Sequence, residues 1–535
     1  MPPNPHQGFA LDPPRDDPLE PLTLCGSSAV TVLVGRQSPL EISLITQATL
    51  LRQTNQAPAA VRLLSRALSA NRDRVPLWNH LGLALRAANR PRAALSAFRR
   101  AARLDPHNPW AETNITFSLL RDPGNTAPFA GLTSPESPAE IGLGLFCDRF
   151  PHTYGFLIQQ YSTYLEHFPE ARVYSFGRQV FEPYHRDQFA QGLSGYRETQ
   201  PALVGRIHQL VPDLEPADPA ACTHVRLRVT DGAFRRPRLA HTVFAMNADL
   251  FRPVFEALKV PFSFTLNPGG GFRLGQPYSD ERLRRVFGSP WFRHVIVTYA
   301  LTRDYIRDRF GVPAERITLI PGTIVLERLL EAHRRPKRRY GHDKDTLDLC
   351  FAGIRSSATG ADKGYDRFLA AARRLCDRFP TLRLHVVGNF SPDILDVTDL
   401  ADRLTFYGRR DQRWMAGLFS GMDAIVSPNV PDHLALGAFD GFPVTTCLEA
   451  GMVGVALFAT DPLGLNHSLV HGEHFVEIPP DPAGIANSLE TWLANPDRLY
   501  RLAIAGERRI HEVWGEAAQM RPRVALMERL IARER

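Results

Sequence analysis

Short, almost wholly apolar runs alternate with helix-like segments through much of this chain, and few folds accommodate that alternation. In the last third of the sequence the runs lie at 347–354, 382–388, 404–407, 423–427 and 455–459. Runs without regular polar positions are typical of strands buried on both faces of a parallel sheet. The amphipathic segments at 365–379, 412–421 and 445–453 are predicted to be covering helices, followed by a long helical tail at 482–532.

The middle of the chain shows the same alternation. Candidate strands lie at 141–146, 172–176, 241–246, 262–266, 294–298 and 317–320, with helical patterns between several of them. Together the two regions predict an α/β protein with two doubly wound, Rossmann-like domains joined by a linker at 331–345. Such domains leave a cleft between the carboxyl ends of their strands, where ligands bind.

A helical repeat precedes these domains. Its markers have tetratricopeptide repeat (TPR) spacing, at Trp78, Leu81, Gly82, Leu85, Ala94, Phe98, Ala101 and Pro106. Residues of similar size recur 34 positions earlier, at Leu44, Ala48, Leu51, Ala60, Leu64 and Ala67. We predict two repeats and a capping helix over 41–120, with a generic helical hairpin as the alternative.

The 535 residues therefore divide into four parts. Residues 1–40 are predicted to be a disordered, proline-rich tail, and residues 41–125 an all-α module of TPR-like repeats. Residues 138–330 are predicted to form an N-terminal Rossmann-like domain. Residues 346–535 are predicted to form a C-terminal Rossmann-like domain with a helical tail.

The composition narrows the class of protein. Hydrophobic residues make up 44% and charged residues 22%, which is typical of a globular chain. The six cysteines lack Cys-x-x-Cys spacing, and the N-terminus lacks the regions of a signal peptide. We therefore predict a cytoplasmic protein, with peripheral contact at the inner face of the cell membrane as an alternative.

The net charge is +7, and only four of the 63 basic residues are lysines. The arginines are interpreted as spread along the chain, and no nucleic-acid partner is predicted. One basic run occupies 334–339. It is interpreted as a solvated linker, with nucleic acid or an anionic membrane surface as alternatives.

The loop after the run at 347–354 is a candidate anion site. Arg355 follows the predicted strand, and Asp362, Lys363 and Gly364 precede the next helix. A loop that ends at a helix N-terminus directs backbone N–H groups at an anion. A guanidinium and an ammonium at the same edge suit a diphosphate. The alternative is a pair of solvated surface charges.

A second candidate is Glu449, which lies between Leu448 and Ala450 and is predicted to be partly buried. A buried carboxylate needs hydrogen-bond donors, and the hydroxyls of a ribose or sugar suit it. A structural network is the alternative. Gly142 and Gly144 lack the third glycine of a dinucleotide fingerprint, which argues against a nicotinamide cofactor.

The order of these motifs resembles glycosyltransferase family 4, whose members have the GT-B fold. In the C-terminal domain the matching segments are 351–355, 362–364, 384–388, 422–428 and 440–450. In the N-terminal domain the resemblance rests on 268–272 and 295–317. The resemblance implies an acceptor-side N-terminal domain and a nucleotide-sugar donor domain that face each other across a cleft.

The resemblance also implies roles for individual residues. Arg355 and Lys363 hold the donor diphosphate, and Glu449 is the second glutamate of the family's Glu-x7-Glu motif, which takes the ribose hydroxyls. Position 441 is glycine rather than the first glutamate, so Asp440 replaces that residue or its role is absent. Catalytic candidates are Asp440, Lys363 and Glu449. Further donor-binding candidates are Gly388, Asn389, Gly441, Phe442, Pro443, Gly269, Gly270 and Gly271.

The resemblance therefore implies a hexosyltransferase-type enzyme that uses a nucleotide sugar and retains anomeric configuration. The acceptor is a glycan, a lipid-linked glycan or a protein, and polysaccharide biosynthesis is the family-level expectation. No metal and no cofactor are expected, because the only Asp-x-Asp, at 343–345, lies in the linker. The TPR module is expected to bind a protein partner. The alternative, motivated by the missing glutamate, is a TPR scaffold with a degenerate transferase domain.

Overall fold

The computed structural model describes residues 39–53, 56–106, 139–148, 155–175, 228–229 and 234–534, with single positions between 108 and 119 and at 150. Residues 1–38 of the predicted tail and most of the predicted capping helix lie outside these ranges. No helix in the described ranges is both long enough and apolar enough to cross a membrane.

The N-terminal module consists of two helical pairs. The helices are α1 Pro39–Gln53, α2 Ala57–Ala70, α3 Val75–Ala87 and α4 Pro91–Leu104. All four carry proline in the first turn, where no intrahelical hydrogen bond is lost. A Cβ on Gly82 would lie 2.3 Å from the Phe98 ring, so this glycine allows α3 and α4 to pack closely. The predicted pairing of helices is confirmed over 39–104.

The first α/β domain is built on a seven-stranded sheet with the order β3-β2-β1-β4-β5-β6-β7. All neighbours are parallel except β3, which is antiparallel to β2. The strands are β1 Ile141–Cys147, β2 Arg172–Ser175, β3 Arg228–Val229, β4 Pro237–Val243, β5 Phe262–Leu266, β6 Phe292–Val297 and β7 Ile317–Leu319. The helices are α5 Gly155–His167, α6 Ala245–Ala257, α7 Pro277–Phe287, α8 Ala300–Phe310 and α9 Glu327–His333.

The second α/β domain has six parallel strands in the order β10-β9-β8-β11-β12-β13. The strands are β8 Leu347–Gly353, β9 Leu382–Gly388, β10 Leu404–Phe406, β11 Ala424–Ser427, β12 Ala456–Ala459 and β13 Val476–Glu477. The helices are α10 Tyr365–Arg378, α11 Gln412–Phe419, α12 Thr445–Gly451, α13 Pro482–Leu493, α14 Pro496–Trp514 and α15 Glu516–Arg533. The predicted α/β class with two Rossmann-like domains is confirmed.

Two parts of the secondary structure differ from the sequence-based prediction. The segment predicted as a strand at 241–246 ends at Val243, because Phe244 adopts a φ of 80° and α6 begins at Ala245. The two-residue strands β3 and β13 were not predicted, because two residues are too short to show a periodic pattern.

The predicted helical tail consists of three helices, α13, α14 and α15, and the last of them packs against the first domain. The apolar side chains of α15, including Met520, Val524 and Met527, share a core with Leu143 and Leu145 of β1. The prediction assigned all of 346–535 to the second domain. The apolar stripe of α15 is instead buried against the first sheet, so the final helix ties the two domains together.

Candidate functional site

The strand order of the second sheet identifies where a ligand would bind. The order reverses between β8 and β11, and parallel sheets bind ligands outside the carboxyl ends of their strands at such a point. A cavity lies at this edge, beside the ends of β11 and β12. Residues that line it include Ser427, Asn429, Asp440, Phe442, Thr460 and Asp461.

Arg355 and Asn389 brace the loops that follow β8 and β9. The Arg355 N–H donates to Asn389 Oδ1 at 2.8 Å, and Asn389 Nδ2 donates to the Arg355 carbonyl at 3.1 Å. The guanidinium donates through Nε to the Asn389 carbonyl at 2.9 Å, and through Nη1 to the Ser357 and Ala358 carbonyls. Burial lowers the pKa of Arg355. The structure therefore brings these two predicted residues together. Their hydrogen bonds all involve backbone groups of the loops that carry them.

Asp362 organises the turn that carries Lys363. Its carboxylate accepts hydrogen bonds from the Ser356 N–H at 3.0 Å and from the Ser357 N–H at 3.1 Å. Gly364 follows with a φ of 70°, and a Cβ there would lie 2.0 Å from the Pro428 carbonyl oxygen. The loop therefore passes the end of β11 at a distance that only glycine permits. Helix α10 begins at the next residue, so its N-terminus faces this edge of the sheet.

Lys363 and Asp440 form an ion pair across the site. Lys363 Nζ lies 2.6 Å from Asp440 Oδ2, and the two side chains are 20% and 36% exposed. The pair joins the loop after β8 to the loop after β11. Because both groups remain partly open to solvent, the ammonium is accessible to a ligand that competes with the carboxylate.

Gly441, Phe442 and Pro443 form the wall next to Asp440, and a side chain of the other domain supports them. Tyr299, which follows β6, is buried, and its hydroxyl forms a hydrogen bond with the Phe442 backbone. Burial is the main reason that the pKa of Tyr299 is raised, and the nearby carboxylates of Asp440 and Asp461 add to it. A Cβ on Gly441 would lie 2.0 Å from Tyr299 Oη.

The predicted glycine triplet of the first domain lies in a loop that contacts the second domain. Gly269, Gly270 and Gly271 all have positive φ, at 71°, 53° and 85°. Three residues later the Leu274 N–H donates to the Gly437 carbonyl at 3.0 Å. The Phe272 ring meets the Phe439 ring edge-on, with centroids 6.2 Å apart. The structure therefore places the triplet near the wall of the cavity, in the contact between domains.

This contact predicts the effect of a substitution at Gly437. A Cβ there would lie 1.9 Å from the Leu274 carbonyl oxygen, so Gly437→Ala is expected to force the two loops apart. The matched control is Gly472→Ala, because Gly472 has the same φ of 79° but no atom within 4 Å. We expect Gly437→Ala to lower the melting temperature and the activity more than the control. Equal effects of the two substitutions would show that the loss comes from the positive φ alone and not from the close approach to Leu274.

Glu449 lies on α12 and is buried, with 4% of the residue exposed. Burial alone raises its pKa to about 8. No hydrogen bond to this carboxylate occurs among the described residues, unlike the well-bonded Asp362. The predicted burial is confirmed, and the side chain has the unmet need for donors that a hydroxyl-bearing ligand would satisfy.

Two functional positions escaped the sequence-based prediction. Tyr299 is far from Phe442 in sequence, and an isolated tyrosine after a strand has no pattern that identifies its contact. The sequence-based prediction gives Asp362 no role of its own beside Lys363 and Gly364, although an aspartate before a helix commonly organises a turn. Gly388, by contrast, ends β9 opposite Gly353, where β8 ends, as the motif order predicts.

Part of the second domain matches the model of a known family. Residues 338–509 match the family model described as glycosyl transferases group 1, and residues 75–108 match the tetratricopeptide repeat. The chain therefore combines a region similar to glycosyl transferases of group 1 with a TPR repeat in front of it, and its α/β part consists of two Rossmann-like domains. The predicted resemblance to a glycosyltransferase family and the predicted fold class are confirmed. No curated protein matches the sequence.

Several solved structures are similar in fold. Sucrose-phosphate synthase from Thermosynechococcus elongatus is 17% identical, with a TM-score of 0.48 over 74% of this chain and 100% of the other. Anabaena HepE, solved in complex with UDP and glucose, is 14% identical, with a TM-score of 0.47 over 74% of this chain and 98% of the other. A glycosyltransferase from Rickettsia africae is 11% identical, with a TM-score of 0.47 over 73% and 99%.

Proposed function

We propose that the chain transfers a hexose from a nucleotide sugar to an acceptor, without a metal ion and with retention of anomeric configuration. One observation carries the proposal: the Lys363 ammonium lies beside the N-terminus of α10 in the loop after β8, and Glu449, on the helix after β11, is buried without a hydrogen bond from any described residue. A cation and a helix N-terminus suit the diphosphate, and a buried carboxylate suits the hydroxyls of the donor.

The proposed chemistry concerns the charge on the leaving diphosphate. As the bond from the sugar to the diphosphate breaks, negative charge grows on the phosphate oxygens. Lys363 is the fixed cation that stabilises this charge, together with the backbone N–H groups at the start of α10. Arg355 uses Nε and Nη1 on carbonyl groups of its own loops, so Nη2 is the nitrogen that we assign to the donor.

Asp440 is proposed to take the place of the missing first glutamate. Its carboxylate forms an ion pair with Lys363, so a bound diphosphate would replace one anionic partner of the ammonium with another. The released carboxylate then lies beside Gly441, Phe442 and Pro443 at the wall of the cavity. It is thereby placed to accept hydrogen bonds from the hydroxyls of the transferred sugar.

The remaining roles are proposed from the resemblance and from the TPR repeat. The acceptor is a glycan, a lipid-linked glycan or a protein, and the reaction serves polysaccharide biosynthesis in the cytoplasm or at the inner face of the membrane. The TPR module recruits a protein partner. Gly269, Gly270 and Gly271 are proposed to approach the donor from the first domain, because their loop touches the wall formed by Gly437 and Phe439.

A second candidate function is a TPR scaffold whose transferase domain binds a donor without turnover. Two observations favour it: position 441 is glycine, and Lys363 is already paired with a carboxylate. The two candidates differ in turnover rather than in donor binding.

The test is a screen of purified full-length protein against UDP-sugars and GDP-sugars. Calorimetry measures donor binding, and chromatography measures nucleotide release with and without glycan, lipid-linked and peptide acceptors, in buffer that contains a chelator. The proposal expects binding of one donor and acceptor-dependent release. Binding without release by any acceptor would favour the scaffold, and absence of both would contradict both candidates.

A further inference from the structure

The positive charge of this chain is concentrated in the helical module. Residues 39–106 contain eleven arginines, no lysine and three acidic residues. Their excess of eight positive charges is larger than the net charge of the whole chain, +7. The rest of the chain is therefore close to neutral. The interpretation of the basic excess as spread along the chain is therefore wrong.

Four of these arginines lie on the outer helices of the module. Arg62 and Arg66 are one turn apart on α2, and Arg92 and Arg103 are three turns apart on α4. All four are exposed. The 34-residue repeat makes positions 62 and 96 equivalent, and positions 92, 96 and 103 share one side of α4. We call these four residues the arginine face.

The packing of the helices keeps this face open. Helices α1 and α3 contact each other as well as their own partners, whereas α2 and α4 have no comparable contact, so α2 and α4 form the outer layer. Within the described part of the chain, no carboxylate lies within ion-pair distance of the arginine face. Glu41 and Asp73 are instead opposite Arg74 and Arg100, at 3.7 Å and 3.6 Å.

The chemistry of the arginine face favours one class of binding partner. The hot spots of protein interfaces combine arginine with tryptophan or tyrosine anchors, and single-stranded nucleic acid is held by aromatic platforms. Among the described residues, the exposed large hydrophobic side chains are Leu40, Tyr278, Ile354, Leu436 and Val470, and none of them lies on α2 or α4. A bilayer with anionic lipids requires no aromatic anchor or platform, because each cation near its surface strengthens binding by about fivefold.

We propose that the arginine face docks the enzyme on an anionic phospholipid surface, with guanidinium groups on lipid phosphates. Guanidinium binds phosphate through two parallel hydrogen bonds, which suits a module that has arginine and no lysine. Docking is electrostatic and reversible. It is independent of donor binding, since the face lies on a different domain from Lys363 and Glu449.

The test measures co-sedimentation of the full-length protein with vesicles. The vesicles are phosphatidylcholine alone or an equal mixture with phosphatidylglycerol. We expect binding to the mixed vesicles only, and its loss at high salt, because exposed charges are screened. Equal binding to both kinds of vesicle, or to neither, would overturn the proposal.

The variant Arg62→Gln/Arg66→Gln/Arg92→Gln/Arg103→Gln is expected to bind mixed vesicles at least about tenfold more weakly. The matched control removes four exposed arginines of the second domain, at Arg374, Arg383, Arg501 and Arg508, and should bind like the original protein. An equal loss in both variants would overturn the proposal, since it would show an effect of net charge alone.

Two further measurements separate docking from folding and from other partners. The variant with lysine at the four positions of the face keeps the charge, so it should retain most of the binding. Its failure to bind, with an unchanged melting temperature, would contradict an electrostatic surface. A soluble acidic polypeptide that binds the original protein when vesicles do not would assign the face to an acidic protein instead. Donor affinity should be the same in all variants.

Discussion

Replacement of Lys363 by alanine is expected to weaken nucleotide-sugar binding at least about a hundredfold, as measured by calorimetry. A hydrogen bond to a charged group contributes about 1.5–3 kcal/mol, and each 1.4 kcal/mol is a factor of ten in affinity. The substitution also leaves the Asp440 carboxylate, 2.6 Å from the ammonium in the original protein, without its partner. That carboxylate then repels the diphosphate, which adds to the loss.

The control substitutions for this prediction come from the same ion pair and from the surface. In Lys363→Ala/Asp440→Asn the repulsion is removed together with the cation, so part of the affinity should return. Lys259→Ala removes an exposed lysine of the first domain and should leave donor affinity unchanged. If Lys363→Ala also binds donor normally, the diphosphate does not contact this lysine, and the assignment of the site is wrong.

The fold was predictable where burial imposes a pattern on the sequence. Central strands such as β8 and β9 are covered on both faces, so their apolar runs coincide with the observed strands almost to the residue. The prediction fails where packing depends on distant segments. The apolar face of α15 is visible in the sequence, but the sequence does not show that it lies on β1 rather than on the adjacent second sheet.

The site was predictable for the same reason and to the same extent. Arg355 and Lys363 lie in the loop after β8, and Glu449 lies on the helix that follows the loop after β11, so the order of these neighbouring strands brings their segments close together. The pairing of Lys363 with Asp440 and the support of Phe442 by Tyr299 depend on loops without periodicity. Loop geometry of this kind is set by tertiary contacts, and a single sequence contains no signal for it.

The contact between the domains connects the first domain to the loop that carries Asp440. Tyr299, Leu274 and Phe272 all belong to the first domain, and each contacts the loop between Gly437 and Phe442. This loop carries Asp440, so the position of the first domain bears directly on the ion pair. The effect of Gly437→Ala on activity therefore reports how strongly the domain contact positions the carboxylate.

Replacement of Glu449 by glutamine is expected to change donor binding and stability in opposite directions. The buried carboxylate has a pKa raised from 4.5 to about 8, so the folded state binds its proton more tightly than the unfolded state does. Stability therefore falls as the pH rises from about 4.5 to 8, by about 5 kcal/mol at 1.36 kcal/mol per pKa unit. Glutamine avoids this penalty, so Glu449→Gln should melt at a higher temperature at pH 8.5.

Donor affinity should respond with the opposite sign. Sugar or ribose hydroxyls donate to the ionised carboxylate, so affinity in the original protein should rise between pH 6.5 and about 8.5. Loss of a charge-assisted hydrogen bond in Glu449→Gln should weaken binding roughly 10- to 100-fold and remove the pH dependence. The neighbouring Cys447 thiol does not interfere, because burial raises its pKa to about 12.

Comparison of the original protein with Glu449→Gln also separates the effect of Glu449 from the effects of other groups that titrate in this pH range. Burial lowers the pKa of Lys337, in the linker at 331–345, to about 7. Lys337 is present in both proteins, so its contribution cancels in the difference between their pH profiles. A variant that loses donor affinity without gaining stability would mean that glutamine disrupts α12. Unchanged affinity with increased stability would show that the carboxylate is buried without contacting the donor, and would leave the hydroxyls of the donor to Asp440.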